Sequence, residues 1–232
     1  TPKQLDKAAD KRTKAIILTS PNNPTGTIYS KTSLLKLQKI LENKSIYLIV
    51  DDTYSKIIYD KSYISPAFFA PQKEYLILIN SFSKSAALTG WRIGYVVAIS
   101  KIVEAIIAFQ SHTTGNASLL SQIAAQKIIK QGDKTEKFVK ILKKRRDMTD
   151  TLLSAIPKIS YELPKGAFYY FIDVSKIEKD TVKFCKRLLE EGLALIPGEA
   201  FGCPGFVRLS FSASTSKLVK GIKIFKKFCQ KY

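Results

Sequence analysis

The residues that could do chemistry stand at the ends of apolar runs. Lys84 lies in Ser81-Phe82-Ser83-Lys84-Ser85, just after Tyr75-Leu76-Ile77-Leu78-Ile79. Taken alone, a lysine is a solvated surface residue. At a strand end among small hydroxyl residues it can lose solvation, lower its pKa and become a nucleophilic amine. Ser81 and Ser83 could hydrogen-bond an anion held nearby. Arg92 follows in Thr89-Gly90-Trp91-Arg92-Ile93-Gly94-Tyr95. Its flanking glycines permit close backbone approach. Its guanidinium either grips a phosphate in bidentate fashion or stacks on Trp91 at a surface. Asp51 and Asp52 follow Ile46-Tyr47-Leu48-Ile49-Val50, with Tyr54 shortly after. A carboxylate there either caps the next turn or faces a cationic group, and the two acids are not distinguished by position. Asn23 sits in the turn Asn22-Asn23-Pro24-Thr25-Gly26, a weak signal by itself. Arg208 interrupts the apolar run Val207-Arg208-Leu209, where a guanidinium is costly unless paired. A carboxylate ligand is a plausible partner.

These positions require elements to hold them. Ala15-Ile16-Ile17-Leu18 reads as a strand closed by a dense turn signal. Leu34, Leu37 and Leu41 recur at helical spacing across Ser33 to Glu42. The runs 46–50, 75–79 and Tyr95-Val96-Val97-Ala98-Ile99 read as buried strands. Apolar strands separated by helical segments predict a mostly parallel α/β sheet with helices on its faces. Ligands in such sheets bind at the carboxyl ends of the strands. From Ile102 to Ile156 the pattern is helical, with a break at Gln131-Gly132-Asp133. Within it, Phe138, Ile141, Leu142, Met148 and Leu152 suit one face of a long amphipathic helix. Beyond Pro157 the texture becomes α+β. A strand pair (159–163 and 167–172) is joined at Pro164-Lys165-Gly166, followed by a helix (182–191), two strands (193–196 and 206–211) and a helix from Ser216. The expected division is a large domain over 1–150 and a small C-terminal domain over 151–232.

Composition excludes several classes. The chain has 232 residues, 45% of them hydrophobic, enough for a substantial core. No apolar run approaches the roughly 18 residues of a membrane span, and the polar start has no signal-peptide core. Three cysteines (Cys185, Cys203, Cys229) without CxxC spacing, and a single histidine, His112, indicate neither a disulfide framework nor a metal site. That usage fits a reducing compartment, most simply the cytoplasm. The net charge of +19 could serve nucleic acid. However, the lysines are scattered, and the densest cluster, Lys143-Lys144-Arg145-Arg146, sits in a helical stretch. It reads as a solvated surface that favours anionic small molecules.

In combination and order the motifs say more. Pro21-Asn22-Asn23-Pro24-Thr25-Gly26, Asp51-Asp52-Thr53-Tyr54, Ser81-Phe82-Ser83-Lys84 and Thr89-Gly90-Trp91-Arg92-Ile93-Gly94-Tyr95 are followed by Pro164-Lys165-Gly166-Ala167-Phe168-Tyr169, Ile196-Pro197-Gly198-Glu199-Ala200-Phe201-Gly202 and Val207-Arg208-Leu209-Ser210. In this order the sequence resembles the class I aminotransferases of the pyridoxal-phosphate (PLP)-dependent aspartate aminotransferase superfamily, across nearly the whole chain. Gln110 to Ala117 is similar to the bacterial aspartate aminotransferase subgroup.

The resemblance implies that Lys84 forms the Schiff base with PLP and serves as general base once freed. Asp51 would pair with the pyridinium nitrogen. Tyr54 and Asn23 would bond the ring's phenolic oxygen. Ser81, Ser83 and Arg92 would hold the phosphate, and Arg208, helped by Asn23, the substrate α-carboxylate. His112 is left as a packing or interface residue, and Asp52 stands where many relatives have glutamate. The implied reaction moves an amino group from an L-amino acid, aspartate as the first choice, to a 2-oxo acid such as 2-oxoglutarate. The implied assembly is a homodimer.

Family members begin well upstream of Thr1. The part not seen here usually supplies a glycine-rich phosphate-binding turn and the aromatic residue stacked on the ring. The chain then reads as a truncated gene product, the downstream half of a split gene with a separate N-terminal half as partner, or an excerpt; the expectation is an incomplete large domain and weak or absent activity for the chain alone. The rival readings are a PLP-dependent lyase or decarboxylase on the same scaffold and a non-catalytic regulatory relative.

Overall fold

The computed structural model describes residues 1–42, 44–132 and 135–231. Contacts divide the chain into two units: residues 1–21 with 28–135, and residues 22–27 with 136–232. The cut falls at the start of a long helix, whereas the expected one after residue 150 would sever that helix near its end. The short segment 22–27 belongs with the second unit, which linear reading does not show.

The first unit is built on a four-stranded sheet of β1 (Ala15–Thr19), β2 (Tyr47–Asp51), β3 (Leu76–Ser81) and β4 (Gly94–Val97), in that spatial order. β1, β2 and β3 are parallel, with Leu18 opposite Val50 and Val50 opposite Leu78. β4 runs antiparallel to β3, so the mostly parallel sheet has one reversed edge. Strand alternation sends Ile16, Leu18, Leu48 and Val50 inward. They meet Leu34, Leu37 and Leu41 of α2 (Lys31–Leu41) in one buried cluster with Phe69. Each fully buried leucine there contributes about 1.5–3 kcal/mol. Ser30 starts α2 by accepting from the Ser33 amide at 3.2 Å.

Among its described residues this unit also holds three more α-helices and a single α-helical turn. α1 (Pro2–Ala8) opens on a reciprocal capping box between Thr1 and Gln4. That signal lay in the polar stretch read only as lacking a signal peptide. α3 (Phe82–Ser85) is one turn, and α4 (Ser100–Ser111) and α5 (Leu119–Lys130) follow. His112 is exposed at the C-cap of α4. Of the helix break expected at 131–133, Gln131 and Gly132 follow α5, and Asp133 lies outside the described residues.

The second unit holds α6 (Thr135–Ser154), β5 (Ser160–Tyr161), β6 (Tyr169–Asp173), α7 (Thr181–Glu190), β7 (Ile196–Pro197), β8 (Phe206–Ser210) and α8 (Thr215–Cys229). Its sheet is antiparallel, in the order β5-β6-β8-β7. Tyr170, Ile172, Val207 and Leu209 are buried, as are Phe184 and Leu188 of α7 and Phe225 and Phe228 of α8. Phe184 meets the Phe225 and Phe228 rings edge-on, at 6.3 and 5.2 Å.

Two expectations for α6 change. Its buried stripe is Leu142, Arg146, Thr149 and Leu153, while Ile141 is exposed. The basic cluster is not simply a solvated face either. Arg146 is buried, with Nη1 donating to the Pro164 carbonyl at 3.0 Å and Nε and Nη2 donating to Asp147 Oδ1. Arg145 Nη1 donates to the Ser212 carbonyl at 2.8 Å. A long side chain can bury its stem and satisfy its head from backbone oxygens, which hydrophobic periodicity does not register. Among the described residues no helix is long and apolar enough to cross a membrane.

Candidate active site

In the first unit, the sheet brings two acid- and amine-bearing loops side by side. β2 ends at Asp51, which pairs in register with Ile79 of β3. The ladder continues past the strand end, with the Asp52 amide donating to the Ile79 carbonyl at 2.9 Å. Asn80 Nδ2 then reaches Ser55 Oγ at 3.4 Å. The loop carrying Asp51 and Tyr54 is thereby tied to the strand that delivers Ser81, Ser83 and Lys84. Both loops leave the carboxyl edge of parallel strands, where α/β sheets bind ligands.

The structure separates the two adjacent acids. Asp52 is buried and fully engaged: Ser65 Oγ donates to Oδ2 at 2.7 Å and Tyr63 Oη to Oδ1 at 3.2 Å. Tyr63 Oη also lies 3.0 Å from the Ser20 carbonyl. Burial pushes the Asp52 carboxyl above its ordinary range and drives the Tyr63 phenol strongly upward. Asp51 is half-buried and accepts the Thr53 amide on Oδ1 at 3.0 Å. Asp52 is a structural strut, and Asp51 is the acid with a side to offer. Tyr63 and Ser65 were not foreseen, because nothing in their local sequence links them to Asp52.

The candidate anion ligands also converge. Ser81, Ser83 and Arg92 line one open cavity of about 530 Å³, bounded by β3, β4 and α4. Ser81 caps α3, its Oγ accepting the Ser83 amide at 3.1 Å and donating its proton to the Ile93 carbonyl at 3.2 Å. Arg92 is exposed in a left-handed conformation (φ 50°), with Nη1 on the Thr89 carbonyl at 3.0 Å. Tyr54 is buried and Lys84 half-buried; Asp51, Tyr54 and Lys84 do not line this cavity.

In the second unit, Arg208 is held from three sides. Its Nη1 donates to Asn23 Oδ1 at 2.8 Å. Its Cζ lies 4.5 Å from the Tyr169 ring centroid and 5.0 Å from that of Phe201. Its Nε is buried and meets no acceptor, a deficit that a bound carboxylate nearby would offset electrostatically. Asn23 is delivered by a strap. The amides of Lys165 and Gly166 both donate to the Gly26 carbonyl at 2.9 Å. Gly26 has φ +65°, and a Cβ there would meet Pro164 Cβ at 2.6 Å and the Gly166 oxygen at 2.9 Å. Two motifs far apart in sequence are thus one structural piece. Tyr169 and Phe201 lay inside quoted motifs without a role, and only the β6–β8 register and the turn after β7 put their rings on the guanidinium.

The chain thus carries a mostly parallel sheet with an acid, an amine and hydroxyls beyond adjacent strand ends, and an antiparallel unit with a caged arginine. Residues 1–222 match the family described as aminotransferase class I and II, and the chain belongs to that family. The family is generally PLP-dependent. The chain is 39% identical over 227 residues to the probable aspartate/prephenate aminotransferase of Aquifex aeolicus, covering 93% of this chain and 57% of the relative. It is 37% identical to the aspartate aminotransferase of Thermotoga maritima, covering 91% of this chain and 55% of the relative. Among solved structures, an aspartate aminotransferase from Thermus thermophilus with maleate superposes with TM-score 0.91 and 33% identity, over 98% of this chain and 60% of that one. The chain therefore spans well under two thirds of the length of these relatives. The fold is the mixed α/β fold of these aminotransferases, with the large-domain sheet only partly represented.

The chemistry of the donors suits the cofactor, although Asp51, Tyr54 and Lys84 lie outside the cavity lined by Ser81, Ser83 and Arg92. Two serines and a guanidinium around one cavity suit a phosphate, and a carboxylate with one committed oxygen suits a ring nitrogen. The condition is that the Ser81 proton, now on Ile93, must turn toward the phosphate.

Proposed function

We propose that the protein of which this chain forms the described part is a PLP-dependent aminotransferase. It moves an amino group from an L-amino acid, aspartate as the first choice, to a 2-oxo acid, 2-oxoglutarate as the first choice. The observation that carries this reading is the register of β2 and β3, which ties the Asp51–Tyr54 loop to the strand delivering Lys84. When bound, PLP would supply an electron sink for the carbanion at the substrate Cα.

The remaining work falls to side chains. Lys84 would hold the cofactor through its amine and, as a free amine, would carry the proton from the substrate Cα. Asp51 would offer its carboxylate to the ring nitrogen and so favour a proton there. Tyr54 would donate toward the ring's phenolic oxygen. Ser81, Ser83 and Arg92 bind the phosphate. Arg208 binds the substrate α-carboxylate, pre-oriented by Asn23.

The partners in this reading are the amino acid, the 2-oxo acid and a second copy of the chain. The outward apolar residues Ile107, Phe109, Leu119 and Leu120 of α4 and α5, 60–74% exposed, support an assembly. The free thiols Cys185, Cys203 and Cys229 support a cytoplasmic setting. No specific observation favours a lyase or a regulatory role.

The test is incubation with PLP, borohydride reduction and peptide mapping, alongside assay of oxaloacetate release from aspartate and 2-oxoglutarate. The reading expects the label on Lys84. A label on another lysine, or carbon dioxide in place of a 2-oxo acid, would overturn it.

A further inference from the structure

The turn between β7 and β8 has a carboxylate that the reading above leaves unused. Glu199 accepts the Thr181 amide on Oε1 at 3.3 Å and the Thr181 hydroxyl on Oε2. Thr181 is wholly buried and is the first residue of α7. A carboxylate suits that helix N-terminus, where backbone amides lack intrahelical partners. The Thr181 hydroxyl holds the Glu199 carboxyl below its ordinary range.

The turn itself has little freedom. The Cys203 amide closes on the Gly198 carbonyl at 2.9 Å. A Cβ on Gly198 would lie 2.0 Å from the Cys203 oxygen and 2.7 Å from the Phe206 oxygen. The turn presents Phe201, whose ring meets Phe171 edge-on at 5.9 Å and lies 5.0 Å from the Arg208 Cζ. The connections run from the α7 terminus through Glu199 to Phe201 and on to the guanidinium.

We propose that Glu199 is a positioning residue: by fastening the 198–202 turn to the start of α7, it keeps Phe201 against Arg208 and thereby sets the affinity for the substrate carboxylate. The inference rests on Arg208 being the carboxylate ligand. Without Glu199, Thr181 loses two acceptors, the turn loosens, and the guanidinium keeps only Tyr169 and Asn23. A flat cation held against a ring face gains about 0.5–2 kcal/mol, so the expected loss of carboxylate affinity is about twofold to thirtyfold.

The test uses the full chain with ¹⁵N-labelled arginine, titrated with succinate. In the wild type, the ring currents of Tyr169 and Phe201 displace the Arg208 Nε–H resonance, and succinate moves it. If succinate leaves the wild-type resonance in place, the carboxylate assignment to Arg208 fails, and this inference fails with it. Given a wild-type response, Glu199→Ala shifts the resonance toward its solvent-exposed position and weakens succinate binding by about twofold to thirtyfold. Glu199→Gln, which retains an acceptor for Thr181, recovers most of both. Thr181→Val, lacking only the hydroxyl, shifts the resonance in the same direction and decides the matter should Glu199→Ala fail to fold. An unmoved resonance and unchanged affinity in the folded variants would overturn the role of Glu199 while leaving Arg208 as the ligand.

Discussion

Arg208 Nη1 and Asn23 Oδ1 lie 2.8 Å apart, although the two residues are separated by 185 positions in the chain. The bond fixes the Asn23 amide with its oxygen toward the guanidinium, leaving the NH₂ to donate elsewhere. It also orients a cation that an otherwise apolar strand would not solvate. Hydrogen bonds to charged groups contribute about 1.5–3 kcal/mol. Asn23→Ala in the PLP-loaded protein is expected to raise KM for the amino acid by about 10- to 100-fold. Arg208→Lys should raise it at least as much, since an ammonium cannot make the paired contact. Steady-state kinetics with a kcat-against-KM split checks both.

Lys84→Ala removes both the anchor and the proton carrier. Turnover should fall by at least about 10²–10⁴-fold, the usual contribution of a positioned acid–base group. The borohydride-fixed label should vanish from the 82–85 peptide. Far-ultraviolet circular dichroism should stay unchanged, because Lys84 sits in a single turn capped by Ser81 rather than in the core.

The adjacent acids should respond in opposite ways. Asp51→Ala is expected to weaken PLP binding with little change in melting temperature. Asp52→Ala should cost about 1–3 kcal/mol of stability, because the Tyr63 and Ser65 hydroxyls lose their common acceptor. Thermal melts and PLP titrations on the two variants separate these roles.

Asp52 also gives the stability a pH dependence of definite sign. Burial raises its folded pKa, so the native state takes up this proton before the unfolded chain does. Its contribution is fully present below the ordinary carboxylate value and is lost as pH rises through the raised folded value. The melting-temperature advantage of the wild type over Asp52→Asn should therefore be largest in acid and shrink toward neutrality. A gap that widens with pH would contradict the assignment.

Gly26→Ala places a Cβ against Pro164 and Gly166 at a positive φ. A strained left-handed residue costs about 1–3 kcal/mol, and the collision adds to it. The variant should melt lower. It should also lose carboxylate affinity, because the strap that delivers Asn23 is displaced.

Much of this was legible from residues alone. Strands at 15–18, 46–50 and 75–79 could be read because a sheet buried on a helix demands uninterrupted apolar runs, and α2 because leucines at helical spacing form one stripe. The order of the motifs disclosed the family, and with it Lys84, Asp51 and Arg208 as candidates. Local pattern could not show that β4 runs against β3, that Arg146 lies inside, or that the α6 stripe passes through Thr149. Those outcomes depend on which distant backbone oxygens and neighbours are within reach.

By itself, then, the sequence determined which residue types were available and which segments had to be buried, since both follow from composition and period. Tertiary structure alone decided which of two neighbouring acids became a strut, which rings close on Arg208, and how Gly26 joins a turn to a loop 140 positions away. Hydrogen bonds and packing act over a few ångströms of space, and only the folded chain brings such distant positions within that range.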